Sequence, residues 1–264
     1  NQPLNNWDVS NVTDMSNIFF DSQFNQPLNN WDVSNVTNMS LMFAGSQFNQ
    51  PIDNWDVGSV TNMSGMFAES IFNQSINSWD VSNVTSMILM FSGGLEEINQ
   101  NFDFVENTSF NSDISNWDVG SVTNMSEMFS KSIFSLPLNN WDVRNVDNMG
   151  GMFRESIFNQ SLDNWDVGNV TDMQSMFRES IFNQSISEWD VGNVSNMSNM
   201  FTNGNLSNSN YDDLLIGWGN LPLLQSNVTL DITSSYCDGN FARYYLVDFY
   251  GWEINDNGYD CSSL

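Results

Sequence analysis

The sequence predicts an α/β solenoid of 24-residue coils, each with one parallel strand and a short helix or 3₁₀ turn, closed by a non-repeat C-terminal cap. Three observations predict it. Tryptophan recurs at Trp7, Trp31, Trp55, Trp79, Trp117, Trp141, Trp165 and Trp189, with spacings of 24, 24, 24, 38, 24, 24 and 24 residues. A fixed period of this size marks stacked repeats, and the one long spacing marks an insertion of 14 residues. Each period carries apolar residues that it cannot bury alone, so they must pack on the next coil. The period then stops near Gly204, which divides the chain into eight coils at 1–203 and a capping unit at 204–264.

Asn30 to Phe43 shows the parts of one coil. Trp31 and Val33 are two apart, which puts them on one face of a strand with Asp32 on the other. Asn35 occupies a position held only by Asn or Ser in all eight coils, so it or Thr37 is expected to cap a turn. Val36, Met39, Met42 and Phe43 follow at i, i+3, i+6 and i+7, one face of a short helix or 3₁₀ turn. A loop such as Ala68 to Gln74 then returns Ile71 or Phe72 to the core. The methionines are expected as core, since a copper site would want exposed clusters with His or Cys. Asn25, Asn49, Asn73, Asn159 and Asn183 form one polar ladder, and Ser22, Ser46, Ser70, Ser132, Ser156 and Ser180 another. Both are expected to satisfy loop backbone groups.

The insertion spans about 93–107 and must bulge from a coil edge without breaking the stack. Glu96, Glu97, Phe102, Asp103, Phe104 and Glu106 could form a binding knob there. The plainer reading is a tolerated loop that packs its own phenylalanines.

Beyond Gly204, the segment Asn210 to Trp218 predicts a capped helix, Val228 to Ile232 a strand, and Asn240 to Tyr250 a second helix ending at Gly251. Cys237 and Cys261 both lie in this unit, which points to one disulfide in an oxidising compartment, against two buried thiols. The chain opens in mid-repeat, since Asn1 to Leu4 match Asn25 to Leu28, which suggests a monomeric piece of a larger protein.

Composition excludes several functions. Five Lys plus Arg face 32 Asp plus Glu, with no His, for a net charge of -27. That charge argues against nucleic acid and against anionic membranes, both of which need a basic face. It suits a soluble secreted protein, a metal-cation binder or a protein from salty water. Missing His removes the commonest general base and transition-metal ligand. No apolar run approaches a membrane span.

The sharpest candidate chemistry is a carboxylate ladder: Asp8, Asp32, Asp56, Asp80, Asp118, Asp142, Asp166 and Asp190. With Trp and Val inward, these would line the outer face of the sheet about 5 Å apart. Like charges at that distance repel by about 1 kcal/mol in bulk water. Hydrogen bonds from the following turn could relieve this. Alternatively, Ca²⁺ could bind with help from Asn30, Asn54, Asn116, Asn140 and Asn164 on the same face. The same surface could hydrogen-bond a sugar. An outward tryptophan stripe would offer platforms for glycan rings, but its apolar partners would then be exposed as well. Asp256 to Asp260 has some features of a calcium loop without the spacing, and a plain turn is expected.

The residues Phe48-Asn49-Gln50-Pro51-Ile52-Asp53-Asn54-Trp55-Asp56-Val57-Gly58-Ser59-Val60-Thr61-Asn62-Met63-Ser64-Gly65-Met66-Phe67 resemble the BspA-like leucine-rich-repeat surface proteins of bacteria, in the subtype with the Trp-Asp-Val…Val-Thr-x-Met-x-x-Met-Phe repeat. The resemblance covers residues 1 to about 203 and extends to Tyr211 to Trp218 and Tyr236-Cys237. It implies a leucine-rich-repeat-like solenoid at the bacterial cell surface or secreted. It also implies adhesion to a protein or glycan on another cell, host or matrix, and it supplies no catalytic residues. The expected function is therefore non-catalytic adhesion or recognition through the open sheet face or the insertion, with no required cofactor. A structural spacer or stalk and a calcium-dependent glycan binder are the alternatives. A glycosidase is disfavoured, because catalysis needs one unlike pair of carboxylates and not a uniform row.

Overall fold

The computed structural model describes residues 2–94 and 108–262. Its repeats stack in sequence order, and the backbone ladder between them runs through the methionine segment. Asp14, Asn38, Asn62, Ser86, Asn124, Asn148, Asp172 and Asn196 pair in parallel, each with the next. Within one pair of coils, Met39, Leu41, Phe43 and Gly45 donate their N–H groups to the carbonyls of Asn62, Ser64, Met66 and Ala68 at 2.8–3.0 Å.

This corrects the expected placement of strand and helix. The Trp-Asp-Val segment is a pair of tight turns: Trp31 N–H donates to Leu28 O at 3.0 Å and Val36 N–H to Val33 O at 2.9 Å. No helix forms in the described repeats. The cause is a left-handed residue in mid-segment: Asn17, Leu41, Gly65, Leu89, Glu127, Gly151, Ser175 and Asn199 all have φ between 53° and 63°. An extended chain would point Met39 and Leu41 the same way. The left-handed residue adds a step, so Met39 and Met42 both point inward, and Met42 N–H closes a turn onto Met39 O at 3.2 Å. Three-residue spacing here comes from a kinked ladder strand, not a helix.

Nor are Asn35 and Thr37 helix caps. Asn35 Nδ2 donates to Ser10 O at 2.8 Å and Thr37 Oγ1 to Thr13 O at 3.2 Å, each binding the preceding coil. The other polar ladders behave as expected. Asn25 Oδ1 accepts Asn49 N–H, and Asn49 Oδ1 accepts Asn73 N–H, both at 3.0 Å. Ser46 Oγ donates to Phe43 O at 2.8 Å and accepts Phe48 N–H.

The core is a set of aromatic columns. Phe19, Phe43, Phe67, Phe91, Phe129, Phe153, Phe177 and Phe201 stack with centroids 5.3–5.9 Å apart. A second phenylalanine column touches the first, as at Phe43 and Phe48, 4.2 Å apart. Tryptophans form the third, with Trp31 and Trp55 separated by 6.4 Å. Trp31 to Trp189 are all buried, which overturns the outward glycan platform; Trp7, in the first described coil, is 61% exposed. The 38-residue spacing leaves the ladder whole, because Met87 N–H donates to Asn124 O at 3.0 Å and Leu89 N–H to Ser126 O at 3.0 Å.

The ladder continues where the sequence period ends. Strand β1 (Met197–Phe201) is the eighth rung, followed by helix α1 (Asn208–Gly219), β2 (Thr229–Ile232), helix α2 (Asn240–Tyr250) and β3 (Glu253–Asn255). The three strands are parallel in the order β1-β2-β3. Ser207 caps α1 by accepting Asn210 N–H. Gly251 ends α2 in the left-handed conformation, with φ at 69°. The two terminal coils thus have true helices opposite their strands. Cys237 and Cys261 are joined as a disulfide, 24 residues apart.

Candidate functional site

The eight aspartates do form one exposed stripe. It lies along the turns that follow the tryptophans and not on a sheet face, because the ladder runs elsewhere in the coil. All eight are held alike: Asp Oδ1 accepts the N–H of the residue two positions on, at 3.0–3.3 Å. Where that residue is serine, its hydroxyl donates to the same oxygen at 2.6 Å, as from Ser10 to Asp8, Ser34 to Asp32 and Ser82 to Asp80. The serine hydroxyl and then the serine N–H hold these three carboxyls below the usual carboxylate range. Local hydrogen bonding therefore answers the repulsion within the row.

Asn30, Asn54, Asn116, Asn140 and Asn164 are exposed beside the stripe. Several also serve the stack. Asn54 Nδ2 donates to Asn29 O at 2.7 Å, while Asn30 N–H and Asn164 N–H donate to the side chains of Asn5 and Asn139. Among the described residues no three Asp, Glu, Cys or His side chains come together at a spacing that could hold a metal ion. Each coil brings one carboxylate, already committed through Oδ1 to its own turn, so the row does not close into a carboxylate cage for Ca²⁺. Asp256 to Asp260 is a turn, with Gly258 N–H on Asp256 Oδ1 at 3.1 Å. Asp256 is occupied by Arg243 Nε at 2.6 Å and Tyr211 OH at 2.7 Å. Burial and the Asp256 hydrogen bond push the Tyr211 phenol up. Glu96, Glu97, Phe102, Asp103, Phe104 and Glu106 lie outside the described residues.

Every lysine and arginine has a carboxylate partner. Lys131 meets Glu155, Arg144 meets Asp142, Arg154 meets Glu127 and Glu155, Arg178 meets Glu179, and Arg243 meets Asp256. With five cations paired and 32 acids present, the exterior field is that of the remaining carboxylates.

A second exposed surface was not singled out from the sequence. On α2, Phe241, Tyr244, Tyr245 and Phe249 all face solvent. Their i, i+3, i+4, i+8 spacing is visible in the sequence, but it reads equally well as the buried side. Only the packing shows that Leu246 is the inward residue.

Residues 1–103 and 97–214 each match the family described as Mycoplasma protein of unknown function, DUF285, and the two matches meet inside the insertion. No curated protein and no solved structure matches the chain. The matched span takes in all eight coils and runs into α1; the chain belongs to the DUF285 family.

Proposed function

We propose that the chain is a non-catalytic extracellular recognition module, built as a leucine-rich-repeat-like solenoid of the BspA-like type, that binds a protein or glycan partner on another cell, host or matrix. The observation that carries this reading is the stripe itself. Eight exposed Asp residues recur once per coil in one shared geometry, flanked by exposed Asn. An evenly spaced polar row suits an extended partner that makes the same contact at each step. It suits catalysis poorly, since an acid and a base need unlike surroundings. A disulfide-closed terminal unit supports placement in an oxidising compartment.

The test is a binding screen against glycans and matrix proteins, run on the parent chain and on a variant with Asp32, Asp56, Asp118 and Asp142 changed to Asn. Binding by the parent that the variant loses supports the reading. A screen that is flat for the parent favours a structural spacer instead.

A further inference from the structure

The C-terminal unit carries a surface that the fold does not use. Helix α2 fully buries only Leu246. Phe241 is 86% exposed, Phe249 68%, Tyr244 66% and Tyr245 41%. Leaving a large aromatic side chain in water forgoes roughly 1.5–3 kcal/mol per residue. Grouped exposed apolar residues on one helix face mark an interaction site more often than accident.

The rings pack on one another within the helix. Tyr245 and Phe249 stack with centroids 5.0 Å apart and planes 12° from parallel. Tyr250 stands edge-on to both, at 5.6 Å and 5.0 Å. Phe241 and Tyr245 also form one wall of a cleft of about 570 Å³ between α1 and α2, whose other wall includes Ile216, Leu221 and Pro222. The floor is tight: a side chain at Gly219 would meet Ala242 Cβ at 2.9 Å, so the Ala242 methyl packs directly on the Gly219 backbone.

Carboxylates are set into this apolar surface. Asp238 lines the cleft. Asp248 lies on the same helix face as Tyr244 and Tyr245, and its nearby carboxylate pushes the Tyr244 phenol up. Both are exposed. Residues 204–264 hold eight Asp and Glu against one Arg. That Arg243 is spent on Asp256, on Ile254 O and on the Tyr236 ring, 4.9 Å away. Aromatic faces and carboxylates together attract one kind of group, a cation on an apolar stem.

We propose that the α2 face and the α1–α2 cleft form a docking site for a cationic amphipathic segment of a partner protein. An aliphatic side chain of the segment fills the cleft, and its Lys or Arg groups sit over Tyr244 and Tyr245 and pair with Asp238 and Asp248. A neutral glycan could stack on the rings but would leave the carboxylates without a counter-charge. The site goes beyond the carboxylate stripe and needs nothing from it.

The test uses the whole chain and a short fluorescein-labelled peptide of Lys and Leu in amphipathic order, read by anisotropy. A Lys–Ser peptide of equal charge and a Glu–Leu peptide of opposite charge are the controls. The Lys–Leu peptide is expected to bind and to weaken as salt rises, while the controls do not bind. The F241A/Y245A and D238N/D248N variants, both at exposed positions, are expected to weaken it about tenfold with unchanged Tm. The D32N/D56N variant is expected to bind as the parent does. Equal binding of the Lys–Ser peptide, or no loss in the α2 variants, would overturn the site. So would a parent dimer that F241A/Y245A dissolves, or glycan binding at these residues in place of the peptide. Peptide binding that is lost in D32N/D56N and kept in both α2 variants would overturn this site and leave the recognition reading standing.

Discussion

The indole Nε1–H of Trp165 donates to the carbonyl of Leu138, 27 residues earlier, at 3.0 Å. The bond recurs from Trp31 to Leu4 and from Trp55 to Leu28, and it reappears in the terminal unit from Trp218 to Ile186 and from Trp252 to Gln225. Leu138 O also accepts Trp141 N–H at 3.0 Å, so losing the indole does not orphan it. Trp165→Phe should therefore cost about 1 kcal/mol for the hydrogen bond, plus a smaller packing loss. Native-state hydrogen exchange should show faster opening of the coils around residue 165 and little change near residue 31. Uniform loosening of the whole stack would contradict this local role.

Ser175 sits at the left-handed position of its coil with φ at 57°, where other coils have Gly65 and Gly151. The ladder needs only its backbone: Ser175 N–H donates to Ser198 O at 2.9 Å and Ser175 O accepts Arg178 N–H. Ser175→Gly should stabilise by roughly 0.5–1 kcal/mol, because relief of the left-handed strain exceeds the added unfolded-chain entropy. A higher urea midpoint checks it. Ser→Gly at Ser161, where no positive φ is found, is the control expected to give no gain.

Asp8, Asp32 and Asp80 have carboxyls held below the ordinary range by their serines. A group depressed in the folded state contributes stability that is present in full above the unfolded value, about 3.9, and is lost as pH falls through the folded value. Melting temperature should hold from neutral pH to about pH 5 and fall below pH 4. Ser34→Ala removes the hydroxyl bond and should raise the Asp32 pKa, read by NMR titration, while Asp8 stays where it is. An unmoved Asp32 would mean the serine hydroxyl is not the cause.

The Cys237–Cys261 bridge closes a 24-residue loop that contains α2 and β3. Replacing both cysteines with serine should cost about 3 kcal/mol on the loop-entropy account. The loss should concentrate in the terminal unit: amides of β3 should exchange faster before those of residues 39–45 do. Equal loss in both regions would show that the terminal unit and the repeats unfold as one.

Millimolar Ca²⁺ and EDTA should leave the melting temperature unchanged, since no carboxylate cage is formed among the described residues. A clear Ca²⁺-dependent rise would show that amides and carboxylates of adjacent coils recruit the ion together.

The period, the inward residues and the terminal helices were legible because each leaves a pattern in residue type. Trp31, Val33, Val36, Met39, Met42 and Phe43 are all buried, as their recurrence implies. The path of the ladder was not legible. Its cause is the backbone angle at Leu41, and the same position holds Asn, Leu, Gly, Glu and Ser across the coils, so no residue type announces it. The aspartate row was legible as exposed, and hydrogen bonds from the following turn were one expected relief, but the donor, the residue two positions on such as Ser34, was not singled out. The aromatic face of α2 needed coordinates, because periodicity names a helical stripe without saying which side meets the core.

The rungs on either side of the 38-residue spacing have the lengths found elsewhere in the stack, as in Met87 N–H to Asn124 O at 3.0 Å against Met39 N–H to Asn62 O at 3.0 Å. The chain keeps the ladder as far as Gly93, whose N–H donates to Ser130 O at 2.7 Å, and rejoins the stack at Thr108, which pairs in parallel with Ser132. A longer spacing at this one place thus leaves rung length unchanged, so lengthening or shortening the chain between Gly94 and Thr108 should alter loop-closure entropy only slightly and leave the core as it is.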